Sequence, residues 1–221
     1  MPASASAYST FPVSMTQIRP STFEGGCIVE NSVVLHSVVS HHRAVSDDRD
    51  WFQVVAEQRC EECELAAAAV PQDRLGADIL EEGAQWADLL KAADADVLRR
   101  RPEAEVWSAL EYAAHVRDVL GLFAQRIDLA LRESEPDLPW WDHEAAAVEE
   151  RYNEQEPAGV AEALRLDAER LHLTLPRPGD ATWRRAATRR GRERFTVEGL
   201  ARFALHEAHH HRVDAERSLS E

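Results

Sequence analysis

The chain has 221 residues, 44% of them hydrophobic, 7% aromatic and only 9 of them glycine. That is long enough for one domain with a real core, and the composition favours helices over a sandwich of short strands. Forty acidic against 25 basic side chains leave a formal net charge of -15, which speaks against wrapping nucleic acid or lying on an anionic membrane, since both need a basic face. No run approaches the ~18 apolar residues of a spanning helix, and the opening MPASASAYSTF lacks the basic and apolar regions of a secretory signal. A cytoplasmic protein is the expectation.

Residues 1–47 form an extension unlike the rest. The stretch to Gly26 is rich in Ser, Thr and Pro without a helical period and reads as disordered. CIVENSVVLHSVV, residues 27–39, is a β-branched candidate strand with no evident partner, and Met15 is a candidate internal start. Residues 48–221 read as one helical domain. Of the three cysteines, Cys27, Cys60 and Cys63, none belongs to a disulfide framework. Cys60-Glu61-Glu62-Cys63 is a lone C-x-x-C: a structural zinc site wants a second pair and none is present, and a thioredoxin-like role wants a βαβ setting. A local structural or incidental role is expected.

The first long helix is predicted from about Pro71 to Arg99, with Leu75, Ile79, Trp86, Leu90, Ala93 and Val97 on one stripe. The second has the best start signal in the chain. Ser108 and Glu111 form an S-x-x-E capping box, with Trp107 and Tyr112 placed as a hydrophobic staple. Its stripe of Tyr112, Val116, Val119, Phe123, Ile127 and Leu131 runs to about Arg132. A Pro- and Trp-bearing connection with a short helical stretch follows, then a third helix over about 157–175. Residues 176–195 read as a loop punctuated by Pro and Gly. The last helix starts near Thr196, a good N-cap, and runs to the end. The fold class is all-α: an antiparallel four-helix bundle with one or two longer connections.

The last helix carries HEAHHH, residues 206–211. His206-Glu207-x-x-His210 fits the pattern of zinc peptidases, but those draw a third ligand from downstream and hold substrate on a sheet, and neither is available here. His206 and His210 are one turn apart, the spacing two imidazoles need to share an ion, and they border the apolar stripe; His209 points away, toward solvent. The third ligand must come from upstream, and His115 beside the buried face of the second helix is the best candidate. A rival set, His115 with Glu207 and His211, lies closer to the centre of the stripe and is equally sound chemically. His115, His206 and His210 are preferred. Taken singly, each histidine also has a bland reading as a partly buried or solvated side chain.

WSALEYAAHVRDV at 107–119 and FTVEGLARFALHEAHHHRVD at 195–214 resemble the DinB-like family of four-helix metalloproteins, which includes the N-terminal domain of mycothiol-dependent maleylpyruvate isomerase and thiol S-transferases. The likeness covers about residues 50–221. It implies His115, His206 and His210 as ligands, with some isomerase members placing Glu first in the final pair. It also implies activation of a low-molecular-weight thiol, and a homodimer. Three imidazoles accept Zn foremost, with Ni or Fe as alternatives. Such an ion lowers the pKa of a thiol or water in its open position.

Glu207 or Asp118 would serve as base or orient a ligand histidine, unless both are only surface charge. The basic run Arg184, Arg185, Arg189, Arg190, Arg192 and Arg194, above all Arg190 and Arg194, would receive carboxylates of a thiol cofactor, against the alternative of a solvated loop. Trp140, Trp141 and Trp183 either line a pocket or pack the bundle. The functional expectations are a metal-dependent thiol transferase or isomerase, a non-catalytic metal-binding stress-associated bundle, and a metal-dependent hydrolase.

Overall fold

A computed structural model of the chain describes residues 58–220; the expectations for the extension over 1–47 lie outside them. Six helices and a hairpin make up the described part. They are α1 (Leu75–Ala92), α2 (Ala95–Leu98), α3 (Ala109–Arg132), α4 (His143–Glu149), α5 (Pro157–Thr174), β1 (Ala186–Arg189), β2 (Glu193–Thr196) and α6 (Val197–Ser220). No helix among the described residues is long and apolar enough to cross a membrane.

Helix α1 buries Leu75, Ile79, Trp86 and Leu90 of the predicted stripe, together with Glu82, Gly83 and Ala87, while Ala93 and Val97 lie beyond its end. It is shorter than predicted at both ends. Pro71 only opens a turn, its carbonyl accepting from the Arg74 N–H at 2.9 Å. Ala93 is extended, and Asp94 in β conformation starts the separate turn α2. The break falls at the Ala-Asp-Ala-Asp run, where aspartate is a poorer helix former than alanine, although Asp94 makes no side-chain cap bond.

Helix α3 starts as the sequence predicts. The Glu111 N–H donates to Ser108 Oγ at 3.2 Å and the Ser108 N–H to Glu111 Oε2 at 2.9 Å. Trp107 and Tyr112 meet edge to face, their centroids 5.7 Å apart. Pro157 opens α5 with its fixed φ, and Thr196 Oγ1 accepts from the Gly199 N–H at 3.0 Å at the head of α6.

The four long helices pack as a ring in which α1 and α3 each lie against α5 and α6. Helices consecutive along the chain, α1 and α3, therefore stand across the bundle from each other, as do α5 and α6. Gly83 lets α1 approach α5 closely, since a Cβ there would sit 2.6 Å from the Ala168 methyl. Trp86 ties α1 to α6, its indole N–H donating to the Ala208 carbonyl at 2.9 Å.

The segment predicted as a loop holds the β1–β2 hairpin, with Ala187 opposite Phe195. Arg190 and Gly191, at φ 54° and 67°, turn it. Only Ala187 and Phe195 are deeply buried there, so interleaved arginines mask the two-residue period.

Candidate metal centre

Helix α6 turns about 100° per residue, so His206 and His210 project from one face and Glu207 and His211 from the next. Packing gives each pair a different partner. The imidazole of His115, buried on α3, meets the Glu207/His211 pair. His115 Nε2 stands 3.8 Å from Glu207 Oε2, and His211 Nε2 stands 3.6 Å from the same oxygen. The His115 and His211 rings are 4.9 Å apart, edge to face.

His206 and His210 face elsewhere. They meet Cys60 and Cys63 from the segment that precedes the bundle. The preferred trio of His115, His206 and His210 is thus not brought together; the rival trio is. The reason lies in the approach of α3, which comes alongside the Glu207/His211 face, while the cysteine turn covers the face one residue back.

The rival trio fits a divalent cation. Two imidazoles and a carboxylate on a tetrahedral ion with bonds of about 2.0–2.1 Å stand about 3.4 Å apart, and the observed separations exceed this by a few tenths. His211 Nδ1 is bonded to Asp214 Oδ2 at 3.1 Å, which fixes the ring and leaves Nε2 for the centre. His115 Nδ1 is buried without a hydrogen-bond partner among the described residues.

Charge in the cluster is tightly balanced. Burial alone would raise Glu207, yet His115, His206 and His211 outweigh it and hold this carboxyl well below its usual range. Burial pushes His115 down to about 4. For His211 burial also opposes the charged form, but Asp214 and Glu207 prevail and raise it to about 9. The pocket therefore calls for positive charge beside Glu207, which a proton or a metal ion can supply.

Trp141 stacks on His115 at 12° with centroids 5.6 Å apart, Trp107 meets it edge-on at 5.4 Å, and exposed His143 stands 5.8 Å away. Trp141 is also a wall of an open depression of about 640 Å³, shared with Arg117, Asp118, Trp140 and the acidic Asp142, Glu149 and Glu150. Asp118 is tied by Arg117 Nε at 2.7 Å and by the Tyr152 hydroxyl at 2.5 Å, so its position suits a wall more than a free base. Glu207 stands among the ligand candidates. Of the basic run, Arg190 lies over Trp140 at 3.6 Å on the rim, while Arg194 pairs with Glu135 at 2.6 Å on the exposed surface. Trp183 is core. His209, expected in solvent, is half-buried, its Nδ1 2.7 Å from Glu82 in a cluster with Arg212. Glu82, a polar residue inside the apolar stripe of α1, is the reason.

The model of the DinB superfamily matches residues 79–213. The chain belongs to the DinB superfamily. Comparison with curated proteins gives no match. Among solved structures, this DinB protein is similar to YfiT from Bacillus subtilis, described as a probable metal-dependent hydrolase with an unusual four-helix bundle topology. The two share 20% identity over 67% of this chain and 85% of that one, with a TM-score of 0.59. At that identity the likeness is one of fold.

Two residues beside the His115, Glu207 and His211 cluster were not singled out by the sequence. His143 is an isolated histidine on a short helix, and Asp214 lies one turn past the histidine run. Its spacing of three from His211 was the only pointer.

Proposed function

We propose that this DinB protein is a metal-dependent enzyme that activates a low-molecular-weight thiol, of the mycothiol type, for S-transfer or isomerisation. The observation that carries the reading is the convergence of His115, Glu207 and His211 beside the Trp141 depression. Three protein ligands leave a coordination position open, as catalytic sites do and structural ones do not. A divalent cation bound there supplies Lewis acidity, lowering the pKa of whatever thiol or water occupies that position.

The remaining work falls to the chain. Glu207 contributes the one formal negative charge of the set and so moderates the ion's. Asp214 holds His211 in the tautomer that presents Nε2. Trp107 and Trp141 fix His115 between them and keep water off its faces. Exposed His143, its ring 5.8 Å from that of His115, takes the proton released by the nucleophile. Arg190 on Trp140 offers the rim a guanidinium for a carboxylate of the thiol.

Hydrolysis is the second reading, supported by the fold-level likeness to YfiT. The two separate in one assay. Purified chain is stripped with chelator, reloaded with zinc, and given an electrophile with a thiol or an activated ester without one. Metal-dependent thiol consumption is the expected result. Ester cleavage without thiol consumption favours hydrolysis, and neither activity with metal fully bound leaves a non-catalytic metal-binding bundle.

A further inference from the structure

We infer that Cys60, Cys63, His206 and His210 form a second, structural zinc site, separate from the His115 centre and back to back with it on α6. The inference stands whether or not the enzymatic reading does. All four ligand atoms lie within 4.8 Å of one another. Cys60 Sγ is 3.6 Å from His210 Nδ1. A thiolate and an imidazole on one tetrahedral zinc, with bonds of about 2.3 and 2.0–2.1 Å, stand about 3.6 Å apart.

A second observation points to a ligand. His206 is 6% exposed, and neither ring nitrogen makes a hydrogen bond among the described residues, Nδ1 standing 3.8 Å from Glu207 Oε1. Leaving such a group unsatisfied in a folded core is costly, and native proteins rarely do so. An ion between His206 and the sulfurs satisfies one of the two nitrogens, while Nδ1 has the Glu207 carboxylate beside it. The C-x-x-C spacing on a turn with an H-x-x-x-H pair on a helix is the ligand arrangement of Cys₂His₂ zinc sites.

The surroundings are those of a built site. The Cys60 N–H closes the turn on the Leu65 carbonyl at 2.9 Å, with Glu64 at φ 63° making the bend. Asp214 Oδ2 at 3.4 Å and Glu62 Oε2 at 3.7 Å stand off His210 Nε2, on the side of the ring away from Cys60. Carboxylates in that position orient a ligating imidazole and raise its basicity. The turn is also docked on α6 without metal: Arg217 Nη2 donates to the Glu62 carbonyl at 2.6 Å, and His209 Nε2 lies 3.3 Å from the Cys63 carbonyl.

On binding, both thiols give their protons to solvent and the two imidazoles are neutral. Two thiolates then cancel the charge of Zn²⁺. Four protein ligands leave no open position, so this ion does no chemistry. Its effect is to staple the segment before the bundle to the helix that carries Glu207 and His211.

The test uses untagged full-length chain, prepared reduced, with zinc as the probe. Elemental analysis should find two zinc ions per chain in the wild type. Cys60→Ser/Cys63→Ser should lower this to one, and His115→Ala should lower it to one by the other route. Cobalt-substituted wild type should show thiolate-to-cobalt charge-transfer absorption, kept in His115→Ala and lost in the double serine variant. The cobalt spectrum needs no variant to fold. Absence of that band from reduced, cobalt-loaded wild type overturns the proposal. A band present in cobalt-loaded wild type that turns over neither thiol nor ester leaves this site intact and condemns only the enzymatic reading.

Discussion

Asp214 is one carboxylate with two histidines. Its Oδ2 lies 3.1 Å from His211 Nδ1 and 3.4 Å from His210 Nε2, and it is largely buried between them. It therefore serves as the outer partner of one imidazole in each site, and not as a third centre of its own. Removing an outer-shell carboxylate typically weakens metal binding about 10–100-fold. Asp214→Asn should lower zinc affinity by that factor at both sites, read as two shifted steps in a competition titration against a chelating dye. A shift in only one step would show that Asp214 supports one site alone. His143 differs in kind, since it approaches His115 without joining the ligand set. His143→Gln should lower kcat for the thiol reaction by about 10²–10⁴-fold, the usual worth of a general base, with zinc content unchanged. An unaltered kcat would strip the residue of that role.

At the scale of elements, α3 depends on its first turn. Ser108 Oγ accepts from the Glu111 N–H and also donates to Asn153 Oδ1 at 2.8 Å, all of it buried or nearly so. Ser108→Ala removes both bonds, and cap losses of this kind cost about 1–2 kcal/mol. Urea denaturation should show a lower midpoint with an unchanged slope; a loss within ~0.3 kcal/mol would mean that the Arg101–Glu111 pair alone holds the turn. The same capping box made α3 readable from sequence, because its signal is local: a cap, a carboxylate three residues on, and a periodic stripe. The pairing of the histidines was not readable in that way. Both i,i+4 pairs of α6 border the same apolar stripe, about 100° apart, and nothing within the helix says which face α3 will meet. The decision rests on helix packing across the bundle, which periodicity does not encode. The C-x-x-C failed to register for a related reason. Its missing second pair was sought among cysteines, whereas in space it faces two histidines near the other end of the sequence. The hairpin was hidden by composition, since Arg189, Arg190, Arg192 and Arg194 leave only Ala187 and Phe195 to mark an inward face.

For the molecule as a whole, the two sites share α6 and yet serve different ends. The topology sets this up: α3 reaches α6 from one side with His115, and the chain entering the bundle reaches it from another with the cysteines. Residues 206 and 207, and again 210 and 211, are neighbours along the backbone, so an ion on one side restrains the geometry of the other. Metal that binds only the folded chain stabilises it by mass action. At free zinc about 100-fold above Kd the gain is about 2.7 kcal/mol per site, and a domain of this size shifts its Tm by about 2–4 °C per kcal/mol. Chelation should therefore lower the Tm of the wild type by about 10–20 °C, roughly twice the shift for either single-site protein. His115→Ala should keep the half contributed by the sulfur site, and Cys60→Ser/Cys63→Ser the half contributed by the other. Because an ion at either site restrains α6, the coupling is reciprocal: the double serine variant should bind its remaining zinc more weakly than wild type binds at the His115 centre, and His115→Ala should weaken the sulfur site by the same factor. Calorimetric scans with graded chelator, run beside zinc titrations of the two variants, read both effects. Weakening confined to one variant would mean that its substitution disturbs α6 directly and that the two ions are not coupled through the helix.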